Sequence, residues 1–237
     1  MPATPSFFRG IASLLYPPSC TICSASVDLG EYLCGECEAK VCRIVPPFCA
    51  KCSEPFDGAI TTIFACAHRV LHFDAAVSAY RSRGIVRHVI LNFKYGRQIH
   101  LRHLVARWLV AALNDERLRE RRFDAIVPVP LHPAKQRERG FNQASLLAEW
   151  LSRHMALPLR PVLQRVRFTT TQTAFDRSER MQNLRNAFRL RKNADVRKSR
   201  VLLIDDVLTT GSTLSECARV LKEAGAQSVY AATAARA

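Results

Sequence analysis

No apolar run approaches the roughly 20 residues needed to cross a bilayer, because the longest candidate, "LVARWLVAAL" from Leu104, carries Arg107 inside it. Nor is there a signal peptide pattern: Arg9 and Gly10 split the apolar part of "MPATPSFFRGIASLLYPPSC", and no small-residue cleavage site follows. These absences predict a cytoplasmic chain without a membrane span. A dinucleotide fingerprint is missing, and the one glycine-rich turn beside a strand lacks the G-K-[ST] of a P-loop, since Ser212 follows Gly211. A phosphorelay receiver is excluded by length, because only 31 residues follow Asp206 where roughly a hundred are needed. No helix-turn-helix signature, low-complexity tract or internal repeat beyond paired cysteines occurs.

Lysine is scarce as well, at 7 residues against 28 arginines. The net charge of +15 is unevenly placed: 24 Lys+Arg face 8 Asp+Glu between Arg81 and Lys192, whereas the remainder is nearly balanced. An arginine-rich proteome would raise the total, but it would not spare both ends. A basic middle favours polyanions, either nucleic acid or phosphorylated small molecules.

Eight of the nine cysteines fall between Cys20 and Cys66. Two residues between thiolates let both sulfurs of a tight turn face one ion, and two such turns make the tetrahedral set that zinc prefers. Cys20, Cys23, Cys34 and Cys37 have the spacing C-x2-C-x10-C-x2-C of a zinc ribbon. Cys49 and Cys52 begin a second set that continues only with Cys66; His68, His72 or Cys42 is left to complete it. A thioredoxin-like redox pair would need a surrounding strand-helix pattern that is absent here. Four thiolates leave no open position, so the expected role of zinc is structural.

Downstream, apolar spacing predicts strands at 73–80, 123–130, 200–206 and 228–235. Helices are expected over 84–96, 99–121, 141–155 and from Ser212 to a stop at Gly225. The alternation predicts an α/β fold with a mostly parallel sheet and right-handed crossovers. The domain boundary falls between a cysteine-rich unit, 1–72, and an α/β domain, 73–237. In such sheets ligands bind beyond the carboxyl ends of the strands, where "VLLIDDVLTTGST" sets Asp205 and Asp206 before four hydroxyl residues, Thr209, Thr210, Ser212 and Thr213, and the start of a helix. Acceptors for hydroxyls beside free N–H groups and a positive helix end suit a sugar phosphate. Gly211 lets the backbone approach it closely.

This stretch resembles the phosphoribosyl-pyrophosphate (PRPP) loop of type I phosphoribosyltransferases. The whole chain resembles the ComF family, through "LLYPPSC", "LNFKYG", "VPVPLHPAKQRERGFNQA" and "TQTAFDRSERMQNLRNAF". The resemblance implies a double zinc ribbon joined to a phosphoribosyltransferase-like sheet. It gives Asp205 and Asp206 the ribose hydroxyls and residues 209–213 the 5-phosphate, with Mg²⁺ accompanying PRPP. Arg137 and Arg139 become candidates for pyrophosphate, Lys94 a further ligand contact, and Arg180 and Asn183 part of a loop closing over the site. It also implies a part in handling single-stranded DNA during natural transformation, together with other competence proteins. The alternative is an active transferase moving the phosphoribosyl group to a base or amine, although no residue presents itself as the proton acceptor. A nucleotide-sensing regulator that binds duplex DNA is a third option, without a sequence signature.

Overall fold

In the computed structural model, residues 17–56, 66, 70–168 and 184–237 are described. A short helix α1 (Gly35–Ala39) lies in the cysteine-rich unit. There follow β1 (Ala76–Arg81), α2 (Gly84–Tyr95), α3 (Arg102–Leu113), α4 (Glu116–Arg119), β2 (Ala125–Pro128), α5 (Pro133–Arg139) and α6 (Gln143–Met155). The chain continues with β3 (Leu163–Arg165), β4 (Phe188–Leu190), β5 (Arg200–Leu208), α7 (Ser212–Glu223) and β6 (Ser228–Arg236). Four strands form a wholly parallel sheet in the order β1-β6-β5-β2, as the strand-helix alternation predicts, while β3 and β4 pair as a separate antiparallel hairpin.

The apolar run of β5 is buried on both faces, as central strands of parallel sheets require. Its period of two divides the core: Leu202 and Ile204 join one cluster with residues of α2, α3 and α6, whereas Val201 and Leu203 join another with residues of α7. Continued along the strand, this alternation turns Asp206 toward the α2 side and Asp205 toward the α7 side.

Two expectations are corrected and one element is added. The helix expected over 99–121 breaks at Asn114, because the Asp115 carboxylate caps a new turn by accepting from the Arg117 N–H at 3.0 Å. Strand β5 runs to Leu208, so the acidic pair lies inside its last turns of pleat instead of ending it. Helix α5 was not expected; it buries no residue and so has no apolar stripe.

The cysteine-rich unit covers the exposed edge of β1. Arg81 N–H donates to the Cys42 carbonyl (2.8 Å), Ile44 N–H donates to Ala79 (2.9 Å), and Arg43 bridges Tyr80 in antiparallel sense. An open strand edge would otherwise present unpaired donors and acceptors.

Candidate functional site

Helix α2 lies on the Asp206 side of the sheet, and three consecutive residues of its last turn reach three different partners. Phe93 is fully buried against Phe141, with ring centroids 5.7 Å apart. Lys94 Nζ stands 2.7 Å from Asp206 Oδ2. Tyr95, exposed at the rim, accepts a hydrogen bond from Arg139 Nη2 (2.8 Å) and carries that guanidinium 4.6 Å above its ring. "LNFKYG" and "RERGFNQA" are thus two halves of one wall. Asn142 anchors the second half: its side chain donates to the Val129 carbonyl (3.0 Å) and caps α6 by accepting from Ala144 N–H (3.1 Å). Trp108, on α3, belongs to the core.

Asp205 and Lys94 each feel the charge of Asp206. Burial and the neighbouring Asp206 charge push the Asp205 carboxyl well above the carboxylate range, to about 8, against the opposing pull of Lys94. Burial disfavours the Lys94 ammonium, but the Asp206 carboxylate outweighs it and raises its pKa. The ammonium therefore stands where a ligand's donors would meet Asp206.

Arg165 reaches Asp205, and Lys135 lies near Arg165 and Arg139. Arg165 lies over the Phe188 ring at 5.3 Å and interacts with Asp205, burial lowering its pKa. Burial also lowers Lys135, aided by Arg165 and Arg139. Neither Arg165 nor Lys135 was found by sequence reasoning; their spacing from the loop carries no periodic signal. Arg139 is held in place by Tyr95 and by Gln143 Oε1 (3.1 Å), whereas Arg137 is exposed, two residues earlier on α5. Arg180 and Asn183 lie outside the described residues.

Between β5 and α7 the loop turns at Gly211, whose φ of +80° is the left-handed conformation that glycine adopts without strain. Gly211 supplies no side-chain cap and the first turn of α7 holds no acidic residue, so its N-terminal dipole is left without a resident carboxylate. Thr210 Oγ1 and Ser212 Oγ lie 2.9 Å apart, Ser212 N–H meets Thr210 Oγ1 at 3.4 Å, Thr209 is exposed, and Thr213 is half-buried. Hydroxyls and backbone N–H groups thus converge within one turn, a cradle suited to phosphate.

The cysteines form two clusters in which the sulfurs lie within 4.8 Å of one another: Cys20, Cys23, Cys34 and Cys37, and separately Cys49, Cys52 and Cys66. Zn–S bonds of about 2.3 Å place tetrahedral sulfurs roughly 3.8 Å apart, so both sets fit a structural zinc ion. Their turns share one backbone plan: the first cysteine's N–H donates five residues on, to Ala25 (2.7 Å) or Glu54 (2.8 Å), and Ser24 or Ser53 donates back to its carbonyl. Burial would raise the Cys20 thiol, but backbone N–H groups of Cys23, Cys34 and Ile22 bring it down to about 6, favouring the thiolate that a metal binds. Two candidates for the fourth position of the second cluster are corrected. Cys42 is exposed and directed at the Lys40 carbonyl (3.8 Å), and His72 is not among the clustered ligands, its backbone N–H donating to Ser215 Oγ instead. His68 lies outside the described residues.

Comparison with known proteins finds two family models on the chain. Residues 11–68 match the double zinc ribbon domain family and residues 142–237 the phosphoribosyl transferase domain family. The chain is 33% identical over 224 residues to competence protein F of Haemophilus influenzae, covering 92% of this chain and 96% of that one. It is 30% identical to the DNA utilization protein YhgH of Escherichia coli K12, covering 91% and 96%. Among solved structures, glutamine PRPP amidotransferase from B. subtilis is similar at 19% identity and a TM-score of 0.36, over 55% of this chain and 25% of that one. No helix among the described residues is long and apolar enough to cross a membrane. With a paired cysteine module, a parallel phosphoribosyltransferase-like sheet and 33% identity to competence protein F over nearly the full length of both chains, the chain belongs to the ComF family.

Proposed function

We propose that the chain binds PRPP or a related 5-phosphoribosyl ligand at the end of β5, and that it serves the handling of single-stranded DNA during transformation. One observation carries the ligand reading: two adjacent aspartates, Asp206 of them paired with Lys94, stand directly before a hydroxyl-lined helix start whose N-cap is a glycine. In this reading the ribose hydroxyls displace Lys94 from Asp206 and donate to the two carboxylates. The 5-phosphate takes the N–H groups and hydroxyls of 209–213, and Arg139 and Lys135 face the pyrophosphate. Two carboxylates beside phosphate oxygens also match the hard oxygen donors that Mg²⁺ selects; bound there with PRPP, it would neutralise the charge on pyrophosphate.

The DNA part of the proposal is supported by the names of the two relatives and by the arginine-rich middle of the chain, which suits a phosphate backbone. Thermal stabilisation by PRPP with Mg²⁺, lost in Asp205→Asn/Asp206→Asn, tests the ligand site; absence of any shift in the unaltered protein refutes it. Salt-sensitive binding to single-stranded DNA that survives the same double substitution tests the second part. Release of pyrophosphate in the presence of a nucleobase would mark the protein as a transferase and not a binding protein.

A further inference from the structure

The second cysteine cluster reaches the ligand loop through two separate struts. Glu54 is built into the cluster's turn: its carbonyl accepts from Cys49 N–H at 2.8 Å and its own N–H is directed at the Cys52 sulfur. Its carboxylate extends away, with Oε2 3.6 Å from Arg236 Nη2. Arg236, buried at the end of β6, donates from Nη1 to the carbonyls of Leu208 (3.3 Å), Thr209 and Ala237. The first two are the residues by which the chain leaves β5 and enters the loop. The second strut starts from Lys51, between Cys49 and Cys52, whose ammonium lies 5.7 Å from the centroid of the Phe73 ring. Phe73 is fully buried, and its edge would stand 3.6 Å from a Cβ on Gly211. Residues flanking Cys52 on both sides thus support both the entry and the apex of the loop.

We propose that metal in the second cluster and a phosphorylated ligand in the loop strengthen each other's binding, with Glu54 and Arg236 as positioning residues that hold Thr209 and Gly211 in the receptive shape. Zinc fixes the turn from which Glu54 and Lys51 project. Without it, the Glu54 carboxylate no longer opposes Arg236, and the carbonyls that Arg236 gathers lose their common donor. A coupling of this kind is reciprocal, because both ligands bias one conformational equilibrium. Its ligand half rests on the phosphoribosyl reading of the loop; its metal half does not.

Two measurements on the full chain separate these halves. In the first, backbone amide exchange of residues 208–213 is followed without ligand, before and after zinc is removed. The loop is expected to exchange about tenfold faster in the stripped protein, and to be fast already in zinc-loaded Glu54→Gln, where stripping adds little. In the second, zinc transfer to a zinc-selective chelator is timed with and without PRPP and Mg²⁺. PRPP is expected to slow it about fivefold or more in the unaltered protein and not in Glu54→Gln. Arg236→Gln removes a buried group and risks unfolding, so Glu54→Gln and Lys51→Met, at half-buried positions, carry the test. Equal loop exchange with and without zinc overturns the proposal, as does Glu54→Gln behaving like the unaltered chain. Loop exchange that follows zinc while PRPP leaves zinc transfer untouched keeps the metal half and rejects PRPP as the ligand.

Discussion

Replacing Lys94 by methionine removes the only charge that opposes Asp206 at ion-pair distance among the described contacts, while keeping the volume of the stem. The pair is close, 2.7 Å, and little of it reaches solvent: the side chains are 20% and 6% exposed. Breaking a buried pair by removing one partner costs about 3–5 kcal/mol, because the other charge stays buried. The one-fifth exposure of Lys94 puts the expected loss at the lower end, about 3 kcal/mol, or a fall of roughly 6–12 °C in Tm for a chain of this length. Asp205 offers little relief near neutrality, since it is already largely protonated there. Most of the loss should be regained in Lys94→Met/Asp206→Asn, which leaves no buried charge uncompensated. Urea unfolding of the three proteins with zinc in excess measures all of this. A single-variant loss below about 1 kcal/mol, or a double variant no more stable than the single one, would refute the reasoning.

Asp205→Asn tests the raised carboxyl. With a folded value of about 8 against an ordinary 3.8, the folded state keeps a proton that the unfolded chain releases. Stability contributed by this group is therefore lost as pH rises between the two values, and the variant's unfolding free energy should fall less steeply between about pH 4 and pH 8. Gly211→Ala has room for its Cβ, whose nearest neighbours are 3.6 Å away. Its cost is then conformational, about 1–2 kcal/mol at positive φ, with weaker PRPP binding by calorimetry. Cys42→Ser should leave the zinc content unchanged by metal analysis, whereas Cys23→Ser should lower it by one ion per chain, because only the second thiol belongs to a cluster. Arg139→Lys keeps the charge but loses the flat contact with Tyr95 and the second hydrogen bond to Gln143. PRPP affinity should drop roughly tenfold with little change in Tm.

The parallel sheet was legible because β5 opens with the unbroken apolar run Val201–Ile204 and β6 is nearly all apolar, a pattern that arises when a strand is covered on both faces. The first zinc cluster was legible because its four ligands sit at fixed short spacings, where local turns alone decide which way the sulfurs face. Helix α5 was not: its residues are polar all round, and its ends are marked only by His132, Pro133 and Gly140. The break after Leu113 was missed because the apolar spacing continues into Leu118, and only the capping bond of Asp115 reveals the new start.

The amino-acid sequence by itself determined the fold class, the cysteine module and the acidic loop, since each is written in residue types and spacings within short stretches of the chain. Tertiary structure alone decided that Lys94 neutralises Asp206, that Arg165 and Lys135 join the site, and that Glu54 and Arg236 connect a metal cluster to the loop. These partners are separated by dozens to well over a hundred residues. Their meeting is fixed by strand order and helix packing, which no local spacing records.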